Sequence, residues 1–297
     1  MALAVAILSM AVSAYAVWSN SFANTGNDFA SDTLNPPAGL GATGGASVSL
    51  SWTATADTYA SGHRVLRGTA TGGPYTQIAE VTPRTTTTYP DSPAAGTYYY
   101  VVRAFYQNWE SANSNEASAS VTVSTGFLDC TANAAVTTGS GDNNGFQTSP
   151  GNACGDDGAF AEDTNSGTGS PHDCSSASKD RHLFYNYGFS IPAGQTINGI
   201  ELRLDAWADS ASGSPVMCVE LSWDGGATWT AAKTTTTLGT AEATFTLGTS
   251  TDTWGRTWSD TDFTNANFRV RITNVASNSQ RDFRLDWAPV QVTYTPP

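Results

Sequence analysis

Hard oxygen donors gather between residues 142 and 163. Asp142 precedes Asn143 and Asn144, then come Asp156 and Asp157, then Glu162 and Asp163, all in a Gly-rich stretch. Carboxylate and amide oxygens on tight loops are what a calcium ion takes. The spacing matches neither an EF-hand nor an RTX repeat. Asp142, Asp156, Asp157 and Asp163 are therefore candidate metal ligands, and calcium is the one cofactor the residues suggest. The same residue types also cap turns with no ion present. Catalysis finds less to work with. A nucleophile needs a base beside it, and the only histidines are His63, His172 and His182. No GxSxG, HExxH or Walker pattern occurs. The 26 acidic residues could supply a glycosidase-like carboxylate pair by chance alone. The expectation is a protein that is not an enzyme.

The cysteines are Cys130, Cys154, Cys174 and Cys218, all in the C-terminal half and without a CxxC pair. That argues against zinc or thioredoxin-like chemistry. An even count behind an export-type N-terminus reads as two disulfides. Three pairings are possible. Closing the shorter loops favours Cys130–Cys154 with Cys174–Cys218. Trp207, Trp254 and Trp258 could stack on sugars, which makes surface glycans a candidate partner. The competing reading of these rings is core packing. The run Ser222-Trp223-Asp224-Gly225-Gly226-Ala227-Thr228-Trp229 resembles the Asp-box of sialidases and other secreted β proteins. That likeness implies a hairpin turn capped by Asp224, a structural element rather than a catalytic one.

The formal net charge is −13, and only 13% of residues are charged. Such a surface repels phosphate backbones and anionic headgroups, which argues against nucleic acid and basic-patch membrane binding. Short alternating apolar runs, Thr-rich stretches and frequent Gly, Asn and Pro belong to an all-β secreted protein.

The elements that would position these groups follow. After Asn35-Pro36-Pro37, Val48, Leu50 and Trp52 alternate with Ser47, Ser49 and Ser51, the period of a half-buried strand. Tyr98, Tyr100, Val102 and Ala104 repeat the pattern, and turns recur every 8–12 residues or so. The blocks PPAGLGAT, SVSLSW, RVLRGTATGGPYTQIAEV and GTYYYVVRAFYQNWESANSNEASASV resemble a bacterial fibronectin type III domain across residues 37–124. The resemblance implies a spacer or interaction module. It makes Trp52 the core tryptophan and Tyr98 the tyrosine-corner residue.

Residues 126–297 open with a polar stretch, 137–180, that shows no clear strands. Strands are expected over 184–189, around 200–204, and over 216–221, 243–247, 268–272 and 283–294. The picture is a jelly-roll-like sandwich. The blocks IPAGQTINGIELRLDAWADS and LDWAPVQVTY look like C-terminal modules of large bacterial surface proteins.

Residues 1–18, MALAVAILSMAVSAYAVW, are apolar on all sides and rich in helix formers. About 20 such residues span about 30 Å, the depth of a bilayer core. Ala14-Tyr15-Ala16 could end a signal peptide, yet no basic n-region stands before it, and the first basic residue is Arg64. The segment resembles the retained helix of type IV pilins, departing from the common pattern by Val5 where those carry Glu. Residues 14–34 also resemble the cleavage region of camelysin-like matrix fibre proteins, in which a donated N-terminal strand joins subunits.

The expected fold is mainly β. A hydrophobic helix over 1–22 and a linker over 23–36 lead into two β-sandwich domains, fibronectin type III over 37–124 and jelly-roll-like over 126–297. The helix would anchor the chain in the membrane and then assemble it with copies of itself, through Leu3, Val5, Ile7, Leu8, Met10, Val12, Tyr15, Val17 and Trp18. The expected role is an extracellular, cell-surface filament subunit serving adhesion. The alternatives are a singly anchored or secreted adhesin or carbohydrate-binding protein, and a strand-donating fibre protein lacking residues 1–16.

Overall fold

The structure is a computed structural model that describes residues 33–296. The expected helix over 1–22, its assembly residues and most of the 23–36 linker lie outside the described residues. Among the described residues the fold is mainly β, with two short 3-10 turns and no α-helix. None of their helical segments is long and apolar enough to cross a membrane.

The first sandwich has eight strands: β1 (Ala38–Thr43), β2 (Val48–Thr53), β3 (Gly62–Gly68), β4 (Thr76–Val81), β5 (Thr88–Asp91), β6 (Gly96–Tyr106), β7 (Trp109–Glu110) and β8 (Ala117–Val121). One sheet runs β1-β2-β5, the other β4-β3-β6-β7 with β8 also on β6. Three strands facing five, all antiparallel, form a fibronectin type III-like sandwich. The alternation in β2 turns Val48, Leu50 and Trp52 inward against Val65, Tyr100, Val102 and Val121, and leaves Ser49 and Ser51 exposed. Burying each such apolar side chain contributes about 1.5–3 kcal/mol. Tyr98 donates its hydroxyl to the carbonyl of Ala94 at 3.0 Å, the backbone bond of a tyrosine corner. Leu34, assigned to the linker by sequence, is instead buried with Ala60 and Ala104.

The second set of strands begins with β9 (Val123–Ser124), which pairs with the last strand of the chain rather than closing the first sandwich. It continues through β10 (Ala132–Ala135), β11 (Ala161–Asp163), β12 (Arg181–Tyr185), β13 (Thr196–Ala208), β14 (Val216–Ser222), β15 (Lys233–Thr234), β16 (Ala243–Gly248), β17 (Arg269–Val275), β18 (Phe283–Trp287) and β19 (Val290–Thr295). One sheet is ordered β10-β12-β17-β14-β15. The other is centred on β13, whose residues Asp205 to Ala208 pair with β18 and residues Thr196 to Leu202 with β19. The strand expected over 283–294 is therefore two strands. Pro289 lies at the break and has no N–H to give, and the register of β13 shifts between Asp205 and Ala206.

The core lies between these two sheets. Phe184, Met217, Val219, Leu221, Val270 and Ile272 face Ile200, Leu202, Leu204, Phe283, Leu285, Val290 and Val292. Side chains alternate along each strand. Parity therefore fixes which residues of β12, β17 and β11 point inward, and this positions the groups described next.

Candidate functional site

Four polar residues continue the inward-facing rows beyond their apolar members. On β12 the row is Phe184, His182, then Asp180 just before the strand. On β17 it is Val270, Ile272, then Asn274. His182 pairs with Ile272, so Asp180 falls opposite Asn274, and the Asn274 amide donates to the Asp180 carbonyl at 3.1 Å. On β11, from the other sheet, Ala161 packs in the core and Asp163 follows it. The Asn274 side-chain Nδ2 donates to Asp163 Oδ2 at 2.8 Å and ties the two sheets together at this end.

Loops complete the enclosure. The amide of Asp142 donates to Asp180 Oδ1 at 3.0 Å. Gly141 holds φ near +57°, and a Cβ there would stand 2.0 Å from Asp180 Oδ1 and 2.9 Å from the Gly167 Cα. Gly141 thus packs against both the Asp180 carboxylate and the 167 loop, and only glycine fits there. Asp163 and Asp180 are fully buried. Burial pushes the Asp163 carboxyl well above the usual carboxylate range, and the charge of Asp180 adds to it. Asp180 is pushed up to about 7, first by burial and then by the charge of Asp142. Lys179, also fully buried, gives its ammonium to the carbonyls of Gly169 at 2.8 Å and Ala276 at 2.6 Å. Neither carboxylate forms an ion pair among the described residues. His182 is committed elsewhere: Nδ1 accepts from the Phe146 amide at 3.1 Å and Nε2 meets Asn133 Oδ1 at 3.0 Å.

Of the four carboxylates expected as metal ligands, Asp142 and Asp163 come to this end of the sandwich. Asp156 and Asp157 go to the outer face of the β13 sheet. There the Gly158 amide donates to Asp286 Oδ2 at 3.1 Å. Burial raises Asp286, and the charges of Asp156 and Asp157 raise it further. The single loop site suggested by the sequence is therefore two separate acidic groupings. Among the described residues, no three His, Cys, Asp or Glu side chains form a metal-holding set by themselves. The inner grouping mixes carboxylates with amide and hydroxyl oxygens. Asp180, Asn274 and Ser166 were missed by sequence. The available signal was an Asp and an Asn at apolar positions of alternating rows.

The disulfides are Cys130–Cys154 and Cys174–Cys218, the pairing that closes the shorter loops. Cys218 lies on β14 with the opposite parity to Met217 and Val219. It packs with Val216, Val275 and Cys174 on the outer face, so this bond pins the 137–180 region to the back of the sheet.

Trp254 and Trp258, considered for sugar stacking, are buried at 4% and 5% exposure. Their indole nitrogens donate to the carbonyls of Ile200 and Thr253. Trp207 is half-buried and meets Phe160 edge-on at 5.0 Å. The large exposed apolar side chains among the described residues are instead Tyr59, Tyr106 and Trp109. They line one depression with Gln107 and Asn108, at the turn between β6 and β7 and the loop before β3 of the first sandwich. In the Asp-box run, Asp224 Oδ1 accepts from the amides of Ala227 at 3.0 Å and Thr228 at 2.9 Å.

No family model matches the sequence, and no curated protein matches it. Solved structures do. An Fn3-like protein from Clostridium thermocellum is 38% identical, covering 30% of this chain and 93% of that one, with a TM-score of 0.27. A β-1,2-glucanase from Parabacteroides distasonis is 26% identical over 30% of this chain and 13% of that chain, TM-score 0.27. The FN1–FN3 domains of chicken CNTN1 are 12% identical over 89% of this chain and 66% of that one, TM-score 0.31. The glucanase match thus spans only a small part of that enzyme's length. Two disulfides mark an oxidising compartment. The chain is an extracellular or secreted protein built of fibronectin type III-like β-sandwich architecture.

Proposed function

We propose that the protein is a non-catalytic structural subunit of an extracellular surface filament, assembled through residues 1–22 with its β domains outward and serving adhesion. One observation carries this reading: an apolar run over 1–18 precedes a disulfide-stapled β unit that buries its own apolar surface. No single face of a soluble monomer could satisfy a helix that is apolar all round. Small residues recur along it at Ala2, Ala4, Ala6, Ser9, Ala11, Ser13, Ala14 and Ala16, which lets neighbouring copies approach closely. Membrane anchoring would precede assembly. Intact-mass analysis of the native protein tests this reading. Retention of residues 1–16 is expected. A native N-terminus at Val17 would replace the helix-packed polymer by a strand-donating fibre.

The depression around Tyr59, Tyr106 and Trp109 favours a second reading, a singly anchored or secreted adhesin that binds surface glycans. Aromatic faces beside Gln107 and Asn108 offer both stacking surface and amide hydrogen bonds to a sugar. Glycan-array binding that is lost in Trp109→Ala, by protein that forms no polymer, would favour this reading over the first.

A further inference from the structure

Four buried oxygens at one end of the second sandwich make no hydrogen bond among the described residues: Asp163 Oδ1, Ser166 Oγ, Asp180 Oδ2 and Asn274 Oδ1. Each belongs to a residue no more than 1% exposed. Buried oxygens without partners are rare in folded proteins, and four at one place need a common cause. Asp163, Asp180 and Asn274 come together because the alternation carried through β11, β12 and β17 turns them inward and the Asp163–Asn274 bond joins the sheets there. Ser166 precedes Gly167, whose Cα stands with Asp180 Oδ1 against Gly141.

We propose that this end of the sandwich is a calcium site formed by Asp163, Asp180, Asn274 and Ser166, with Asp142 at its mouth. The charge balance asks for a cation. Two carboxylates are fully buried and a third stands beside them, and the buried cation near them, Lys179, acts only through space because its ammonium is bonded to two backbone carbonyls. A proton shared between the two carboxylates is the simplest alternative, but it would close only Asp163 Oδ1 and Asp180 Oδ2 and supply nothing to Asn274 Oδ1. The donors also select the ion. All are oxygens, all four cysteines are in disulfides, and both ring nitrogens of His182 are engaged. That excludes a zinc-like set and fits a hard cation. A mixed, irregular set of carboxylate, amide and hydroxyl oxygens suits the flexible shell of calcium better than the strict octahedron of magnesium. A bound ion would lock the 140–142 and 163–167 loops onto strands of both sheets, in the part of the chain with the least regular structure.

The test uses the full chain stripped with EDTA. Its melting is followed as calcium chloride is added, and its metal content is measured after dialysis against calcium. One calcium per chain at this site and a rise of roughly 5–10 °C are expected at calcium about 100-fold above its Kd, with a smaller rise for magnesium. Asp180→Asn should abolish the rise, whereas Asp286→Asn, in the outer acidic group, should keep it. If calcium neither binds nor shifts the wild-type melt, a proton closes the site and the proposal is overturned, whether or not any variant folds. A shift kept in Asp180→Asn and lost in Asp286→Asn would equally overturn it, by moving the ion to the outer group.

Discussion

The hydroxyl of Tyr100 donates to Asp91 Oδ2 at 2.9 Å inside the first sandwich. Arg67 reaches the same carboxylate oxygen at 2.9 Å from its rim. Tyr100 is fully buried, and burial raises its hydroxyl pKa, with the bond to Asp91 adding to the shift. Tyr100→Phe keeps the ring and deletes the bond. It should cost about 1.5–3 kcal/mol, the range for a hydrogen bond to a charged group. Denaturant unfolding of the variant against wild type measures this. A change below about 0.5 kcal/mol would mean that Asp91 is satisfied by Arg67 alone.

The disulfides should act on the second sandwich only. Their sequence separations are 24 and 44 residues. Loop-closure entropy assigns about 3 to 4 kcal/mol to each. Reductant should lower the melting of the part after residue 125 and leave the transition of the Trp52 and Tyr100 core unchanged. Free thiols in denatured, unreduced protein would contradict this.

The turn after β14 should respond to acid. The Thr228 side chain, then its amide, holds the Asp224 carboxyl down to about 2. The folded value lies below the ordinary one of about 4. The stabilisation is therefore fully present above about pH 4 and is lost as pH falls through about 2. Carboxyl NMR titration should give that midpoint, and Asp224→Ala should remove protection from the Ala227 and Thr228 amides. An ordinary midpoint near 4 would show that the turn bonds do not form.

The aromatic depression should matter for binding and little for stability. Trp109 is 44% exposed, so Trp109→Ala should change stability by no more than about 0.5 kcal/mol. Attachment to glycan-coated surfaces should fall several-fold if the depression binds sugars. Unchanged attachment would leave it without that role.

Much of the architecture could be read from period-2 patterns. Val48, Leu50 and Trp52 in β2, and Ile200, Leu202 and Leu204 in β13, are buried where alternation placed them. Tyr98 was legible because a tyrosine corner needs a specific residue at a specific bend. The candidate site was harder to see. Ligand counting in the Gly-rich loop picked out Asp156 and Asp157, which lie near Asp142 and Asp163 in sequence but in another place in the fold. Asp180 closes the polar stretch and Asn274 lies far from it in sequence, and the two join Asp163 through strand register, a long-range property that local spacing does not encode. Trp254 and Trp258 failed as surface rings because their nitrogens find backbone carbonyls in the core, which composition cannot show.

Electron microscopy of the purified full chain tests the central proposal most directly. The protein should form filaments that resist mild detergent. Ala6→Asp, which puts a charge into the apolar run, should leave monomers with both β cores folded. Wild-type protein that stays monomeric, or Ala6→Asp protein that still polymerises, would contradict assembly through residues 1–22.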